Sequence, residues 1–337
     1  MIDVSPAEWE GEGQDRGVGT SASRAPAIDV RFPDLARWEC GNAGMPFVWR
    51  FDAKLPGPHV LVQALTHGNE VCGAIALDWL LASGFRPRRG SFTAVFANVD
   101  AYRSFDASAP FASRCVDEDF NRLWTAEVLD GPRQTIELAR ARQLRSIYDG
   151  CEFLLDLHSM TDPCPPLALC GRHGKGLELA RALGVPAHIV IDAGHAAGRR
   201  LRDYRFFDDA DDPRNALLVE CGQHWERAAP EVARQVMLRF LRHFDIAQPA
   251  FLEANLAQEP SGRQLAIEVT DAITIQSDAF AFAAPVEGLD VVKSRGTVLA
   301  RDGMREVLTP YDDCVLIMPT RRPQRGETAV RLGRFVD

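Results

Sequence analysis

The chain has 337 residues, 46% of them hydrophobic, with a formal net charge of −9. That length and apolar content allow a large core and predict a main domain plus something smaller. The acidic balance argues against nucleic acid or an anionic membrane as partner, and no run approaches the length of a membrane span.

In chain order, Met1-Ile-Asp-Val-Ser-Pro-Ala-Glu8 lacks the basic start and apolar core of a signal peptide, so the expected compartment is the cytoplasm. Glu10 to Ser23 is Gly, Ser and charge with little to bury, which predicts a mobile extension over residues 1–27 and order from near Ile28. Phe47 to Phe51 reads as a sheet-edge strand. His59 to Leu65 is mostly apolar, as a strand covered on both faces should be, and Val71 to Leu81 reads as a helix with Gly84 as its stop. Between them stand His67 and Glu70. Ligands in open α/β sheets bind outside the carboxyl ends of strands, and a His and a Glu three positions apart can converge on one cation as zinc-type ligands. A lone His-x-x-Glu pair recurs by chance, so its weight depends on context.

Ser91 to Asn98 is the next strand, leading into a polar loop that ends Arg114-Cys-Val-Asp-Glu-Asp-Phe-Asn-Arg122. Arg114 and Arg122 offer planar forks to carboxylates and Asn121 an amide, although loops of this kind are ordinarily solvated surface. Gln134 to Ile147 reads as a helix. Phe153-Leu-Leu-Asp-Leu-His158 then places Asp156 and His158 on one face of a strand. His158 is the third candidate ligand, with Asp156 either fixing the imidazole tautomer of a ligand or supporting the site by hydrogen bonds; the plainer alternative is an Asp–His hydrogen bond at a strand end. Ala187 to Asp192 is a short strand. Asn215 to Gly222 delivers Glu220 to the sheet edge, where an isolated carboxylate needs a cation, donors or a raised pKa, the last being what a general base exploits; pairing with Arg227 is the competing reading. Pro230 to His243 is a helix.

From Pro249 the texture changes to short β-like runs at 265–269, 279–283, 298–303 and 314–318. The alternation up to about Phe244 predicts an α/β doubly wound sheet, mostly parallel or mixed, in a domain spanning 28–248, followed by a small β-rich domain over 249–337. His224 stands near Glu220 and either lines a pocket or opens a helix. His173 and His195 sit in glycine-containing loops and end no apolar strand, which disfavours them as ligands. The eight cysteines form no Cys-x-x-Cys pair and fit a reducing compartment, with Cys72, Cys115 and Cys221 flagged as oxidation candidates beside the motifs.

Taken together, His67-Gly-Asn-Glu70, Arg114 with Asp119-Phe-Asn-Arg122, Asp156-Leu-His158 and Val219-Glu-Cys-Gly222 resemble, in order and spacing over residues 55 to 225, the succinylglutamate desuccinylase and aspartoacylase family. Phe120 stands where that family's Asp-Leu-Asn-Arg segment has Leu. The resemblance implies a zinc carboxypeptidase-like fold with one zinc per chain on His67, Glu70 and His158. It implies further that Glu220 activates water, Arg114 polarises the scissile carbonyl, and Asn121 with Arg122 hold a substrate carboxylate. Two His and one Glu leave the fourth tetrahedral position open to water.

The resemblance also implies a further substrate arginine, for which Arg205 and Arg214 are both candidates, and a substrate contact from Tyr311, which reads equally as a turn residue. The expected activity is zinc-dependent removal of an acyl group from an N-acyl amino acid or related small amide. A metallocarboxypeptidase or amidase acting on a short peptide is the alternative, and a metal-binding module without turnover a third. The sequence leaves the acyl group and the oligomeric state, a homo-oligomer included, open.

Overall fold

The computed structural model describes residues 27–195, 197–258 and 262–337, so all but the last residue of the expected mobile extension lies outside the described residues. These fall into two compact units, one formed by 27–161 with 166–264 and the other by 162–165 with 265–337.

The larger unit contains strands β1 (Val48–Asp52), β2 (His59–Ala64), β3 (Ser91–Phe96), β4 (Phe153–Met160), β5 (Leu167–Leu169), β6 (His188–Ile191) and β7 (Asn215–Gln223). Its helices are α1 (Cys72–Ala82), α2 (Val99–Arg103), α3 (Ala126–Leu129), α4 (Ile136–Asp149), α5 (Gly174–Leu183), α6 (Ala229–His243) and α7 (Pro249–Asn255). The strand order is β1-β3-β2-β4-β7-β5-β6. β3, β2, β4 and β7 run parallel, while β1 pairs antiparallel with β3 at the edge and β5 antiparallel with β7. The sheet is therefore mixed around a parallel centre.

Both faces are covered, which is why β2 reads as an apolar run instead of an alternation. Val60, Val62 and Ala64 pack with Leu77 and Leu80 of α1 and with Val236 and Met237 of α6, while Leu61 faces Leu138, Ala141 and Leu144 of α4. Helix ends carry local signals. The Thr135 hydroxyl accepts from Leu138 N to cap α4, and α1 stops just before Gly84, whose φ of +74° suits glycine. The expected helices and strands of this unit are found with ends shifted by one or two residues.

The smaller unit carries β8 (Leu265–Thr274), β9 (Phe280–Phe282), β10 (Val291–Val292), β11 (Val298–Asp302), β12 (Arg305–Leu308), β13 (Cys314–Ile317) and β14 (Thr328–Val336). β8, β14, β13 and β10 pair antiparallel in that order, and β12-β11-β9 form a separate antiparallel sheet. Ile275, Leu299, Leu316, Val330 and Leu332 lie in its core. The sequence placed the change of texture at Pro249, whereas residues 249–255 form helix α7 and the units divide between Gln264 and Leu265. Among the described residues no helix is long and apolar enough to cross a membrane, and none of the eight cysteines is in a disulfide.

Candidate active site

The parallel register puts the ends of β2, β4 and β7 on one rim: Ala64 pairs with Leu157, Leu157 with Val219, and His158 with Glu220. Just after β2, Leu65 holds φ at +60°, a conformation that bulky residues adopt at a cost and that turns the chain into the His67–Glu70 corner. Gly68 is required there. A Cβ on it would lie 2.3–2.4 Å from backbone atoms of Ala101, Tyr102 and Ser113.

His67, Glu70 and His158 are all buried, and one ligand atom from each lies within 4.8 Å of the others. Among the described residues no other such group of three is found. Glu70 sits between the two rings, with Oε1 2.6 Å from His67 Nδ1 and Oε2 2.8 Å from His158 Nδ1. Each ring turns its Nε2 to a different carboxylate: His67 to Asp119 Oδ1 at 2.9 Å, and His158 to Asp156 Oδ2 at 2.8 Å. The His158–Asp156 approach is an electrostatic contact and not an aligned hydrogen bond.

A proton on His158 Nε2, toward Asp156, leaves its Nδ1 lone pair facing the Glu70 carboxylate. Only a positive charge makes that convergence favourable, either a proton on a ring or a cation between the three groups. The electrostatics of the protein groups say the same. Burial disfavours charge on His158, but Asp156 and then Glu70 outweigh it and push its pKa well above the usual value. Burial likewise opposes ionisation of Glu70, and the charges of His67 and His158 hold it well below the usual carboxylate range. The donor set, two imidazole nitrogens and a carboxylate, fits zinc.

Asp156 is itself anchored. Its Oδ1 accepts from Thr66 Oγ1 at 2.8 Å and Gln63 Nε2 at 3.2 Å, and Tyr148 of α4 donates to Gln63 Oε1. All four residues are buried. This polar chain through the core was not anticipated; the signal for it was Gln63, a lone amide in an otherwise apolar strand.

Glu220 faces the same cluster. It does not pair with Arg227: Oε2 is buried and accepts no hydrogen bond, although the side chain keeps part of its surface exposed. Burial, and after it the charge of Glu70, pushes its carboxyl up to about 8. Arg114 reaches in from the loop before Asp119, with Nη2 3.0 Å from Asp119 Oδ2 and 2.9 Å from His67 Nε2, and Nη1 3.4 Å from Glu70 Oε1. Burial opposes its charge, while Asp119 and then Glu70 more than restore it. Asp119 therefore binds both a candidate ligand and the candidate carbonyl-polarising arginine, a role that the sequence reading left unassigned. Asn121 is buried, with Oδ1 accepting from Leu201 N at 2.8 Å; Arg122 donates from Nη1 to Asn121 O at 2.8 Å, and its Nη2 lies 3.8 Å from Asp119 Oδ2.

The remaining candidates divide. His224 is buried beside the cluster, its Nδ1 2.9 Å from Ser159 Oγ and its Nε2 3.2 Å from Thr161 Oγ1, while Ser159 N donates to Glu70 Oε2 at 3.3 Å. His173 lies against Asp208, and His195 Nδ1 accepts from Ala197 N. Arg205 pairs with Asp149 at the end of α4, and Arg214 pairs with Asp212 and stacks on Phe206 at the start of β7. Glu220 is six residues beyond Arg214, about 20 Å along an extended strand, which keeps Arg214 away from the cluster, and Arg205 is engaged with Asp149. Tyr311 belongs to the smaller unit, bonded to Thr270 with Arg334 over its ring. Burial raises the thiol pKa of Cys221 and of Cys115, which opposes the reactivity flagged from their positions.

Known proteins resemble this chain in sequence and in fold. Residues 56–244 match the model of the succinylglutamate desuccinylase/aspartoacylase catalytic domain. A Parasynechococcus marenigrum protein named "Probable aspartoacylase" is 36% identical over 140 residues, covering 39% of this chain and 45% of the relative. The N-acyl-aromatic-L-amino acid amidohydrolase (carboxylate-forming) of Homo sapiens is 35% identical over 116 residues, 32% of this chain and 34% of the relative. The chain thus spans less than half the length of either. The crystal structure of succinylglutamate desuccinylase from Vibrio parahaemolyticus has the same fold, with a TM-score of 0.64 at 19% identity over 87% of both chains.

Proposed function

Because the chain belongs to the succinylglutamate desuccinylase/aspartoacylase family, we propose that it is a zinc-dependent hydrolase that removes the acyl group from an N-acyl amino acid or a related small amide. The observation that carries the reading is the convergence of Glu220 and Arg114 on the buried His67–Glu70–His158 group. Binding alone would need neither.

His67, Glu70 and His158 would hold one zinc per chain. When bound, zinc supplies Lewis acidity, lowering the pKa of a water and drawing electron density from the scissile carbonyl. Glu220 takes the proton of the attacking water and returns it to the leaving amine. Arg114 donates to the carbonyl oxygen as negative charge develops on it. Arg122 binds the carboxylate of the substrate, with the Asn121 amide beside it. This work is assigned to the larger unit, and a cytoplasmic setting goes with the absence of disulfides.

The test is amine release by zinc-loaded protein from a panel of N-acetyl, N-succinyl and N-aromatic acyl amino acids, run beside short peptides. Turnover of the acyl amino acids is expected. Peptide cleavage without deacylation would replace the reading by the carboxypeptidase alternative, and no turnover of either by a pure binding role.

A further inference from the structure

Glu137, in the first turn of α4, is completely buried, and its carboxylate is enclosed by donors. Oε1 accepts from Val116 N at 2.6 Å and Asn98 Nδ2 at 3.1 Å, and Oε2 accepts from Asp117 N at 3.0 Å and Glu118 N at 3.2 Å. Three consecutive backbone N–H groups thus form a concavity for an anion, filled from within the protein. Burying that charge is costly, and four donors together with the positive end of α4 compensate it.

The clasped stretch is the link between Arg114 and Asp119. Val116 is 43% exposed, and Glu118 pairs with an exposed Arg133. Asp117 Oδ2 accepts from Ile136 N at 2.8 Å, and the Thr135 hydroxyl donates to Glu118, so every fastener found here ties the loop to the start of α4. At its two ends the loop sets the site. Arg114 O accepts from Gly68 N at 3.0 Å, and Asp119 holds His67 Nε2.

We propose that Glu137 is a positioning residue for the reaction: by holding the N–H groups of residues 116–118 it fixes Arg114 and Asp119 against His67 and Glu70. The inference rests on the hydrolase reading above. A loop released from Glu137 lets Arg114 drift from the place where charge develops in the transition state, and it loosens the brace on His67. Misplacement by about 1 Å far from the chemistry costs on the order of 100-fold in rate.

The experiment compares wild type with Glu137→Gln and Glu137→Asp. Glutamine keeps the shape but sets an amide donor against two N–H groups, and aspartate withdraws the carboxylate by about 1.5 Å. With zinc-loaded protein and an acyl amino acid that wild type hydrolyses, kcat of Glu137→Gln is expected to fall roughly 10- to 100-fold at nearly constant KM, with a smaller fall for Glu137→Asp. The zinc Kd, measured by competition with a chelator, is expected to rise about 3- to 10-fold, less than for loss of a direct ligand partner. A folded, zinc-loaded Glu137→Gln with wild-type kcat, or with only KM raised, overturns the proposal. If wild type hydrolyses no acyl amino acid, the hydrolase reading is what has failed; the Kd then decides, and an unchanged Kd overturns the positioning role. If Glu137→Gln does not fold, Glu137→Asp is judged by the same two measurements.

Discussion

At Gly68 even a methyl group would meet three backbone atoms, so the corner carrying His67 and Glu70 exists only because the residue after His67 has no side chain. The same economy applies to the charged groups around it. His158 has a carboxylate on each ring nitrogen, and replacing it with alanine takes one donor from a set of three. His158→Ala is expected to lose most of its zinc in metal analysis, and full occupancy in that variant would remove His158 from the ligand set. Glu220 is a different case, since it makes no hydrogen bond through Oε2 that the fold would miss. Glu220→Gln is therefore expected to keep its fold and metal while kcat drops by about 10² to 10⁴, the usual share of general acid–base catalysis; near-normal turnover would sink the mechanism.

Among the elements, α4 bears on both sides of the site. Its first turn carries Glu137, and Tyr148 near its end donates to Gln63, which reaches Asp156 and through it His158. Tyr148→Phe keeps the ring packed but leaves the Gln63 carbonyl without a partner in the core. Denaturant unfolding is expected to show a loss of about 1–3 kcal/mol, the cost of an unmet buried acceptor. A loss under about 0.5 kcal/mol would mean that the network rearranges around the missing hydroxyl. Arg114 and Arg122, both between β3 and α4, have different partners, Arg114 against His67 and Asp119, and Arg122 against the Asn121 carbonyl. Steady-state kinetics should separate them: Arg114→Ala mainly lowers kcat, because its partner charge develops in the transition state, and Arg122→Ala mainly raises KM. Amidating the substrate carboxylate should abolish the effect of Arg122→Ala, and an amide hydrolysed as well as the acid ends the carboxylate-recognition idea.

For the whole molecule, stability on the acid side is set in part by histidines away from the site. Burial lowers the pKa of His188 at the start of β6 and of His59 at the start of β2 below the ordinary 6.5. A histidine whose folded pKa is depressed contributes stability that is complete above its unfolded pKa and is lost as pH falls through the folded value, since the unfolded chain then binds the extra proton. Loss should therefore begin below about pH 6.5. Asp203 follows the same sign at lower pH: burial opposes its charge, Arg200 and Arg202 outweigh that and lower its pKa, and its share disappears below the ordinary carboxylate value. The difference in Tm between wild type and His188→Gln is expected to narrow between pH 7.5 and pH 5.5, and a constant difference would show that His188 does not titrate on unfolding.

Much of the fold and site was legible in the chain because its signals are local. An apolar run with both faces covered marks β2, and polar groups at strand ends mark His67, Glu70, His158 and Glu220. What such signals lack is the partner across the fold. Asp119 looks like one more acidic loop residue until the fold brings it to His67, and Glu137 like a helix-start carboxylate until residues 116–118 turn their N–H groups toward it. Gln63 gains meaning only beside Asp156, 93 residues away in the chain and adjacent in the sheet. Arg205 and Arg214, both candidates before Glu220, are paired in the fold with Asp149 and Asp212. Sequence singled out the residues proposed to bear the chemistry, since donor type and strand-end position are properties of short segments. Tertiary structure alone decided which charges neutralise which, because that depends on distances between segments that the order of residues does not contain.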